Sequence, residues 1–198
     1  MPLYFFKCLQ RLRKLREWER VEVYSDAALR PHGVGSIGFL ILSPTTGRVS
    51  YAEQVRVAQP TFGEVGTIDY LEAVALRSAL QTLLRHLHDE TIKLPQNILN
   101  IFVDNRPLLY FLDQFLKGAA GIFVEGDPHE DFDEETFRQT ITLQHPEYFQ
   151  VIENIARLLE ELARRGVQVV VKYVRSSLNR AHPVVQTALS LQSLSGDL

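Results

Sequence analysis

Apolar positions along the chain change their spacing from segment to segment, and this spacing predicts strands and helices. Apolar, β-branched and aromatic residues fill three early segments, about 21–29, 35–43 and 48–58, and the turn residues between them predict an antiparallel meander. Over about 68–88 an apolar stripe recurs every three or four residues, which predicts a helix. The stripe consists of Leu71, Val74, Ala75, Leu80, Leu83, Leu84 and Leu87.

The rest of the chain alternates between strand and helix patterns. Gly166 lies where a helix C-cap is expected, between a helical segment and an apolar one. The order β-β-β-α-β-α-α-β-α predicts an α/β fold with a mixed five-stranded sheet flanked by helices. The later predicted elements are a buried strand at 98–103, helices at 105–116 and 147–165, a strand at 167–174 and a last helix at about 183–191.

Two segments lie outside this alternation and carry opposite charge. Residues 1–20 hold six Lys and Arg residues against two Glu residues, and about 3–18 has the spacing of an amphipathic helix. Residues 117–146 contain the acidic run EGDPHEDFDEE and predict a poorly structured, acidic insertion loop. We therefore predict a basic N-terminal helix within 1–20 and one domain over 21–198 that carries the insertion.

The apolar side of the N-terminal helix allows three interpretations. Phe5, Leu9, Leu12 and Trp18 follow near-helical spacing beneath basic residues. This stripe suits packing on the body of the protein or on a second subunit, which would make a homodimer. The basic side suits a phosphate backbone, and the whole helix suits a membrane surface. The sequence leaves these alternatives open.

Composition bears on location. The single cysteine, Cys8, excludes an internal disulfide and fits a reducing compartment. Basic residues interrupt the start of the chain too often for a signal-peptide core, and no later apolar run has the length of a membrane span. These features predict a cytoplasmic protein without membrane partners.

Three carboxylates occupy places where charge is unexpected. Asp26 closes the apolar run VEVYSD, Asp104 closes the run ILNIFVD, and Glu72 lies in the long amphipathic helix pattern. Charged residues avoid such surroundings unless they are paired or bind a metal. Strands that end in carboxylates bring them to the carboxyl edge of a sheet, where open α/β folds place their sites. The pattern predicts a cage for divalent cations.

Taken in order, four motifs resemble the ribonuclease H family. VEVYSDAALRPHGVGSIGFLIL resembles that family's first hairpin, with an Asp at the strand end and a Gly-x-Gly-x-x-Gly return. TIDYLE resembles the start of its first helix, which carries the catalytic Glu. FVDN resembles its strand-end Asp motif, and VRSSLNRAHPVVQTAL resembles its terminal motif of Asn, Ala and Asp or His. The similarity spans roughly residues 21–113 and 148–191.

The resemblance implies a metal-dependent endonuclease that cleaves the RNA strand of RNA/DNA hybrids. It implies that Asp26 bridges two Mg²⁺ ions, that Glu72 and Asp104 hold one ion each, and that Mn²⁺ can substitute. His182 takes the place of the family's fourth Asp or His and would act in catalysis and metal binding. The residues implied to contact the nucleic acid are Thr67, Asp69, Asn105, Arg175 and Asn179.

Several residues depart from the family's pattern. Two residues separate Asn179 from His182 where the family has three, so His182 is either a ligand or a capping or surface histidine. Asp69 stands where the family often has an Asn, and is either an additional metal ligand or a helix cap. These departures, together with the acidic insertion, also fit a catalytically weak or inactive relative that acts as a nucleic-acid-binding or assembly module.

Overall fold

The computed structural model describes residues 20–30, 34–44, 47–56, 66–126 and 133–190. The predicted N-terminal helix and the centre of the acidic run lie outside these ranges. Within them, the strands are β1 (Val21–Arg30), β2 (Val34–Ser43), β3 (Gly47–Arg56), β4 (Ile98–Val103), β5 (Ile122–Glu125) and β6 (Gln168–Tyr173). The helices are α1 (Thr67–His88), α2 (Arg106–Leu116), α3 (Glu134–Gln144), α4 (Tyr148–Arg164), a short 3-10 turn (Ser176–Leu178) and α5 (His182–Ser190).

The six strands form one mixed sheet in the order β3-β2-β1-β4-β6-β5. The first three strands are an antiparallel meander, as predicted, and β1, β4, β6 and β5 run parallel to one another. In the parallel pair of β1 and β4, Tyr24 lies opposite Phe102. Asp26 and Asp104 each follow this pair by two residues, so the register brings them side by side. Asp104 follows the end of β4 as predicted, whereas β1 continues past Asp26 to Arg30 and does not end at this carboxylate.

The two faces of the sheet are covered differently. Along β1, β4 and β6, alternate side chains face α1 and α4. Those of Val23, Ile101 and Val171 pack with these helices in the main hydrophobic core. On the other face, Val185 of α5 packs against Ala28 of β1. The central strands are thus buried on both sides near β1, which fixes the backbone that presents Asp26.

Gly38 allows α5 to approach the sheet beside Asp26. It pairs with Asp26 across β1 and β2. A Cβ atom at this position would lie 2.8 Å from Cγ2 of Val185 and 2.9 Å from the carbonyl oxygen of Tyr51. Any larger residue would push α5 away from the sheet.

The sheet has six strands where the sequence predicted five, because the segment 117–146 is not a single loop. It contains β5, which pairs with β6, and α3. Acidic residues that suggested a loop instead begin the helix α3. Asp133 caps α3 by accepting a hydrogen bond from the Thr136 backbone N–H, and acidic side chains stabilise the first turn of a helix. Phe137 and Ile141, one turn apart on α3, are buried.

Among the described residues, no helix combines the length and apolar character needed to cross a membrane.

Candidate metal centre

Three carboxylates from three elements converge where β4 ends beside the middle of β1. They belong to Asp26 of β1, Glu72 of α1 and Asp104 directly after β4, and each offers an oxygen within 4.8 Å of the others. Asp26 and Glu72 are only 2% and 5% exposed. Asp104 is partly exposed to solvent, so two carboxylates of the group are buried and the third is accessible.

Glu72 is held against β1 by a backbone hydrogen bond. Its Oε1 accepts from the Ala27 N–H at 2.9 Å. Its Oε2 is buried and has no hydrogen-bond partner in the described part of the chain. A buried oxygen without a donor is costly, since it has lost its water and gained nothing in return. Glu72 therefore presents a free oxygen to its neighbouring carboxylates.

Burial and mutual repulsion raise the proton affinity of this group. Burial, and then the charge of Asp104, raise the pKa of Asp26 to about 6. The same two causes, joined by the charge of Asp26, raise the pKa of Glu72 well above its usual value. Without a cation, this group holds a proton more readily than ordinary carboxyl groups do. A bound cation would replace that proton.

His182 lies beside Asp26. Its Nδ1 is 2.8 Å from Oδ2 of Asp26, while the imidazole remains partly exposed. Its charge and its hydrogen bond both lower the pKa of Asp26, against the effects of burial and of Asp104. Since His182 is not among the side chains that lie within 4.8 Å of one another, the geometry places it next to the group, as a partner of one ligand. Direct metal binding by His182 stays a prediction.

Asn179 was predicted to contact the substrate, and in the structure it hydrogen-bonds to one of the three carboxylates. It is buried, and its Nδ2 donates to Oδ1 of Asp104 at 3.1 Å and to the backbone oxygen of Ser25 at 2.7 Å. Its Oδ1 accepts from the Ala181 N–H at 3.0 Å. Asn179 thus ties Asp104 to the strand that carries Asp26 and to the start of α5.

Two of the residues predicted to contact substrate link the starts of α1 and α2. Nδ2 of Asn105 donates to Oδ1 of Asp69 at 2.7 Å. Asp69 also accepts from the Gly66 N–H at 3.2 Å, and Asn105 caps α2 by accepting from the Leu108 N–H at 2.8 Å. Both side chains are buried. Asp69 occupies a capping position, which was one of its two predicted roles.

The other two predicted contacts differ in exposure. Thr67 is fully buried, and its Oγ1 lies 3.1 Å from Nε2 of His145. Arg175 is exposed at the start of the 3-10 turn. Contact of any of these residues with a nucleic acid remains a prediction.

His145 was not singled out by the sequence. It is buried beneath Thr67 and stacks on Tyr70, with ring centroids 4.4 Å apart and planes within 2°. It supports the first turn of α1, one turn before Glu72. The segment that holds it was predicted to be a loop, so only recognition of α3 would have pointed to it.

The donor set suits a hard divalent cation. All three side chains offer carboxylate oxygens, which Mg²⁺, Ca²⁺ and Mn²⁺ prefer over nitrogen or sulfur ligands. Oε2 of Glu72 has no hydrogen-bond partner among the described residues, and the raised pKa values indicate that His182 does not fully compensate the negative charge of the group. The cluster could bind a metal ion, and its residues leave the choice among oxygen-seeking metals open.

No protein-family model matches the chain, and no curated protein matches its sequence. Among solved structures, the NurA nuclease from Sulfolobus solfataricus matches with a TM-score of 0.35 and 8% sequence identity. The match covers 87% of this chain, which spans about 60% of that one. A similarity this weak establishes neither the fold nor the activity of this chain.

Proposed function

We propose that this protein is a metal-dependent nuclease with a ribonuclease H-like domain, and that it hydrolyses phosphodiester bonds. The observation that carries the proposal is the convergence of Asp26, Glu72 and Asp104, two of them buried, where β4 ends beside β1. Buried carboxylates at this spacing repel one another and destabilise the fold unless a cation joins them. Such a cluster is better explained by cation chemistry than by stability.

In this proposal, Asp26, Glu72 and Asp104 would hold two divalent cations, with Asp26 shared between the ions and Glu72 and Asp104 serving one each. Mg²⁺ fits the oxygen donors, and Mn²⁺ is the expected substitute. When bound, the two ions would activate a water molecule and stabilise the leaving oxygen of the phosphodiester. They would also reverse the charge of a site that otherwise repels phosphate.

The protein's own groups would orient this site. Asn179 fixes the Asp104 carboxylate through its hydrogen bond at 3.1 Å. The Ala27 N–H fixes one oxygen of Glu72, and the other oxygen has no hydrogen-bond partner in the described part of the chain. His182 is hydrogen-bonded to Asp26 and partly exposed, and in this proposal it would pass a proton between the site and solvent.

The RNA strand of an RNA/DNA hybrid is the proposed substrate, which rests on the resemblance of the four sequence motifs. The decisive assay measures cleavage of labelled hybrid, duplex RNA, duplex DNA and junction substrates with Mg²⁺ or Mn²⁺. We expect wild type to cleave the hybrid fastest and Asp26→Asn to be nearly inactive. Asp113→Asn, which removes a carboxylate on α2 outside the cluster, is the matched control and should retain activity.

Two results would contradict this proposal. Metal-independent cleavage, or equal cleavage by wild type and Asp26→Asn, would remove the carboxylate cluster from the chemistry. Absence of cleavage on every substrate, with nucleic-acid binding retained, would instead favour the inactive binding module.

A further inference from the structure

A cavity of about 750 Å³ opens on the face of the sheet opposite to α1 and α4. Glu22, Leu42, Asn100 and Phe102 line it, and each alternates with a neighbour that points into the main core. Five of the six strands contribute to its lining. Its volume suits a ligand of nucleotide size, since ligand pockets commonly measure roughly 300–1,000 Å³.

The cavity is strongly basic in a chain whose net charge is -3. Among the described residues, its charged lining consists of Arg20, Arg48, Lys172 and Arg180 against one acid, Glu22. These cations come from separate parts of the chain and surround one space. Converging cations repel one another, so their arrangement favours an anionic occupant.

Two of the four cations have acidic partners. Arg180 lies 3.5 Å from Glu22, and Lys172 lies 2.8 Å from Glu125. Arg20 and Arg48 have no ion-pair partner among the described residues, and Nε of Arg20 is buried without a hydrogen-bond partner there. Guanidinium groups bind phosphate oxygens through paired N–H donors, so these two arginines are suited to phosphate.

An aromatic stack adjoins the basic rim. Phe102, which lines the cavity, stacks on Tyr24 with ring centroids 4.7 Å apart and planes within 11°. The guanidinium of Arg180 lies over the Tyr24 ring at 5.5 Å from its centroid. Tyr24 is buried and Phe102 is partly exposed, so Phe102 is the ring open to a base. An accessible ring beside cations is the combination that binds single-stranded nucleic acid, whose bases stack and whose phosphates pair with Arg and Lys.

The cavity and the carboxylate cluster share one face of β1. Glu22, Tyr24 and Asp26 alternate along this strand, and Arg180 precedes His182 by two residues. Four residues of strand span about 13 Å, which corresponds to roughly four nucleotides of a stacked strand at 3.4 Å each. One nucleic acid strand can therefore reach both places.

We propose that this cavity binds the phosphate backbone of a nucleic acid strand a few nucleotides away from the bond at the carboxylate cluster. The proposal rests on the proposed function, since it takes nucleic acid as the ligand. Free nucleotides offer the same phosphate chemistry, but a run of cations beside the cluster on one face suits a continuous strand better.

Binding is tested by fluorescence anisotropy with a labelled single-stranded oligonucleotide in EDTA, where metal-dependent cleavage cannot occur. The double variant Arg48→Gln/Lys172→Gln removes one unpaired and one paired cation from the cavity. The control Arg157→Gln/Arg164→Gln removes two cations from α4, on the opposite face of the sheet. Arg157 pairs with Glu153, and Arg164 is exposed. Both variants change the net charge equally.

We expect the cavity variant to bind at least tenfold more weakly, because charge-assisted hydrogen bonds to phosphate are lost. The slope of log affinity against log salt concentration should also fall by about 0.7 for each lost contact. The control variant should retain the wild-type slope. Equal affinity and slope in the cavity variant and wild type would overturn the assignment, as would equal losses in the cavity and control variants.

A competition arm separates the two sources of phosphate. A nucleoside monophosphate that displaces the probe as well as an unlabelled oligonucleotide does would assign the cavity to free nucleotides and overturn strand binding. Since all binding is measured without metal, failure here leaves the cleavage assay on wild type unaffected. The proposed function fails separately, if wild type binds the strand and cleaves nothing with Mg²⁺ or Mn²⁺.

Discussion

At the scale of single residues, Asn179 determines where the Asp104 carboxylate points. Its amide donates to Asp104 and to the Ser25 backbone oxygen, and its own oxygen accepts from the Ala181 N–H. A buried amide whose nitrogen and oxygen both have hydrogen-bond partners acts as a rigid connection, because breaking one bond leaves a buried group unpaired. Asn179 is a positioning residue in the proposed centre.

We expect Asn179→Ala to weaken metal binding and to lower the free energy of unfolding by about 1–3 kcal/mol, because the Ser25 oxygen and Ala181 N–H lose their partner. Asn100→Ala is the control, since Asn100 is a buried asparagine on β4 without a hydrogen bond to the three carboxylates. Titrating Mn²⁺ while following thermal unfolding measures both effects. Unchanged metal affinity in Asn179→Ala would remove its positioning role.

The raised pKa of Asp26 predicts how stability depends on pH without metal. A carboxyl whose pKa rises from 3.8 to about 6 on folding holds its proton more tightly in the folded state. The metal-free protein should therefore lose stability as the pH rises from about 4 to above 6, on the order of 3 kcal/mol from this group. Urea unfolding in EDTA at several pH values measures it. A flat profile in this window would contradict the account.

Metal binding should show the opposite dependence on pH, because protons compete with the cation for Asp26. We expect affinity for Mn²⁺ to fall as the pH drops through about 6. His182→Ala removes a neighbour that lowers the pKa of Asp26, so the midpoint of this fall should move to higher pH. Calorimetric titrations across the range check this. A midpoint that stays or moves lower would show that His182 does not act on Asp26.

The convergence of the three carboxylates could be predicted from the sequence because its signal is local. Asp26 and Asp104 stand out because each follows an apolar run, and Glu72 stands out within an apolar stripe. The bond between Asn179 and Asp104 has no such signal, since 75 residues separate them and only the fold brings them together. The same holds for His145 beneath Thr67, which are 78 residues apart.

At the scale of elements, a hydrogen bond between Asn105 and Asp69 connects the starts of α1 and α2 beside the carboxylate cluster. Asp69 accepts hydrogen bonds from the Gly66 N–H in its own helix and from Asn105, which caps the other helix. Since Asn105 directly follows Asp104 and Asp69 precedes Glu72 by one turn, this link sets the spacing between two of the three carboxylates.

We expect Asp69→Ala to lower the free energy of unfolding by about 1–3 kcal/mol, because it removes a capping bond and leaves the Asn105 amide unpaired. Asp133→Ala removes a similar capping carboxylate from the exposed start of α3 and should have a smaller effect. Chemical denaturation of both variants measures the difference. Equal losses would show that the link between α1 and α2 adds nothing to ordinary capping.

The elements missed by the sequence are short or lie within the charged segment. β5 has four residues between Gly121 and Gly126, which is too few for a period to emerge, and it forms only because β6 offers an edge. The acidic residues before α3 suggested a solvated loop, yet Asp133 and Glu134 begin a helix. Long elements such as α1 and α4 were predicted within one or two residues because their apolar stripes persist for several turns.

At the scale of the whole molecule, one strand contributes to two regions of opposite charge, the carboxylate cluster and the basic cavity. β1 carries Asp26 of the carboxylate cluster near its middle and Glu22 of the basic cavity near its start. A nucleic acid would meet cations along the sheet face and repulsion at the carboxylates. Bound cations at the cluster would remove that repulsion, so nucleic acid and metal should bind cooperatively in the proposed nuclease.

Calorimetric titration of Mn²⁺ into the protein at neutral pH tests most directly whether Asp26, Glu72 and Asp104 form a metal centre. We expect saturable binding to wild type, a loss of about tenfold or more in Asp104→Asn, and wild-type binding in Asp113→Asn, which loses the same charge from α2. Wild-type affinity in Asp104→Asn, or an equal loss in both variants, would contradict the central claim.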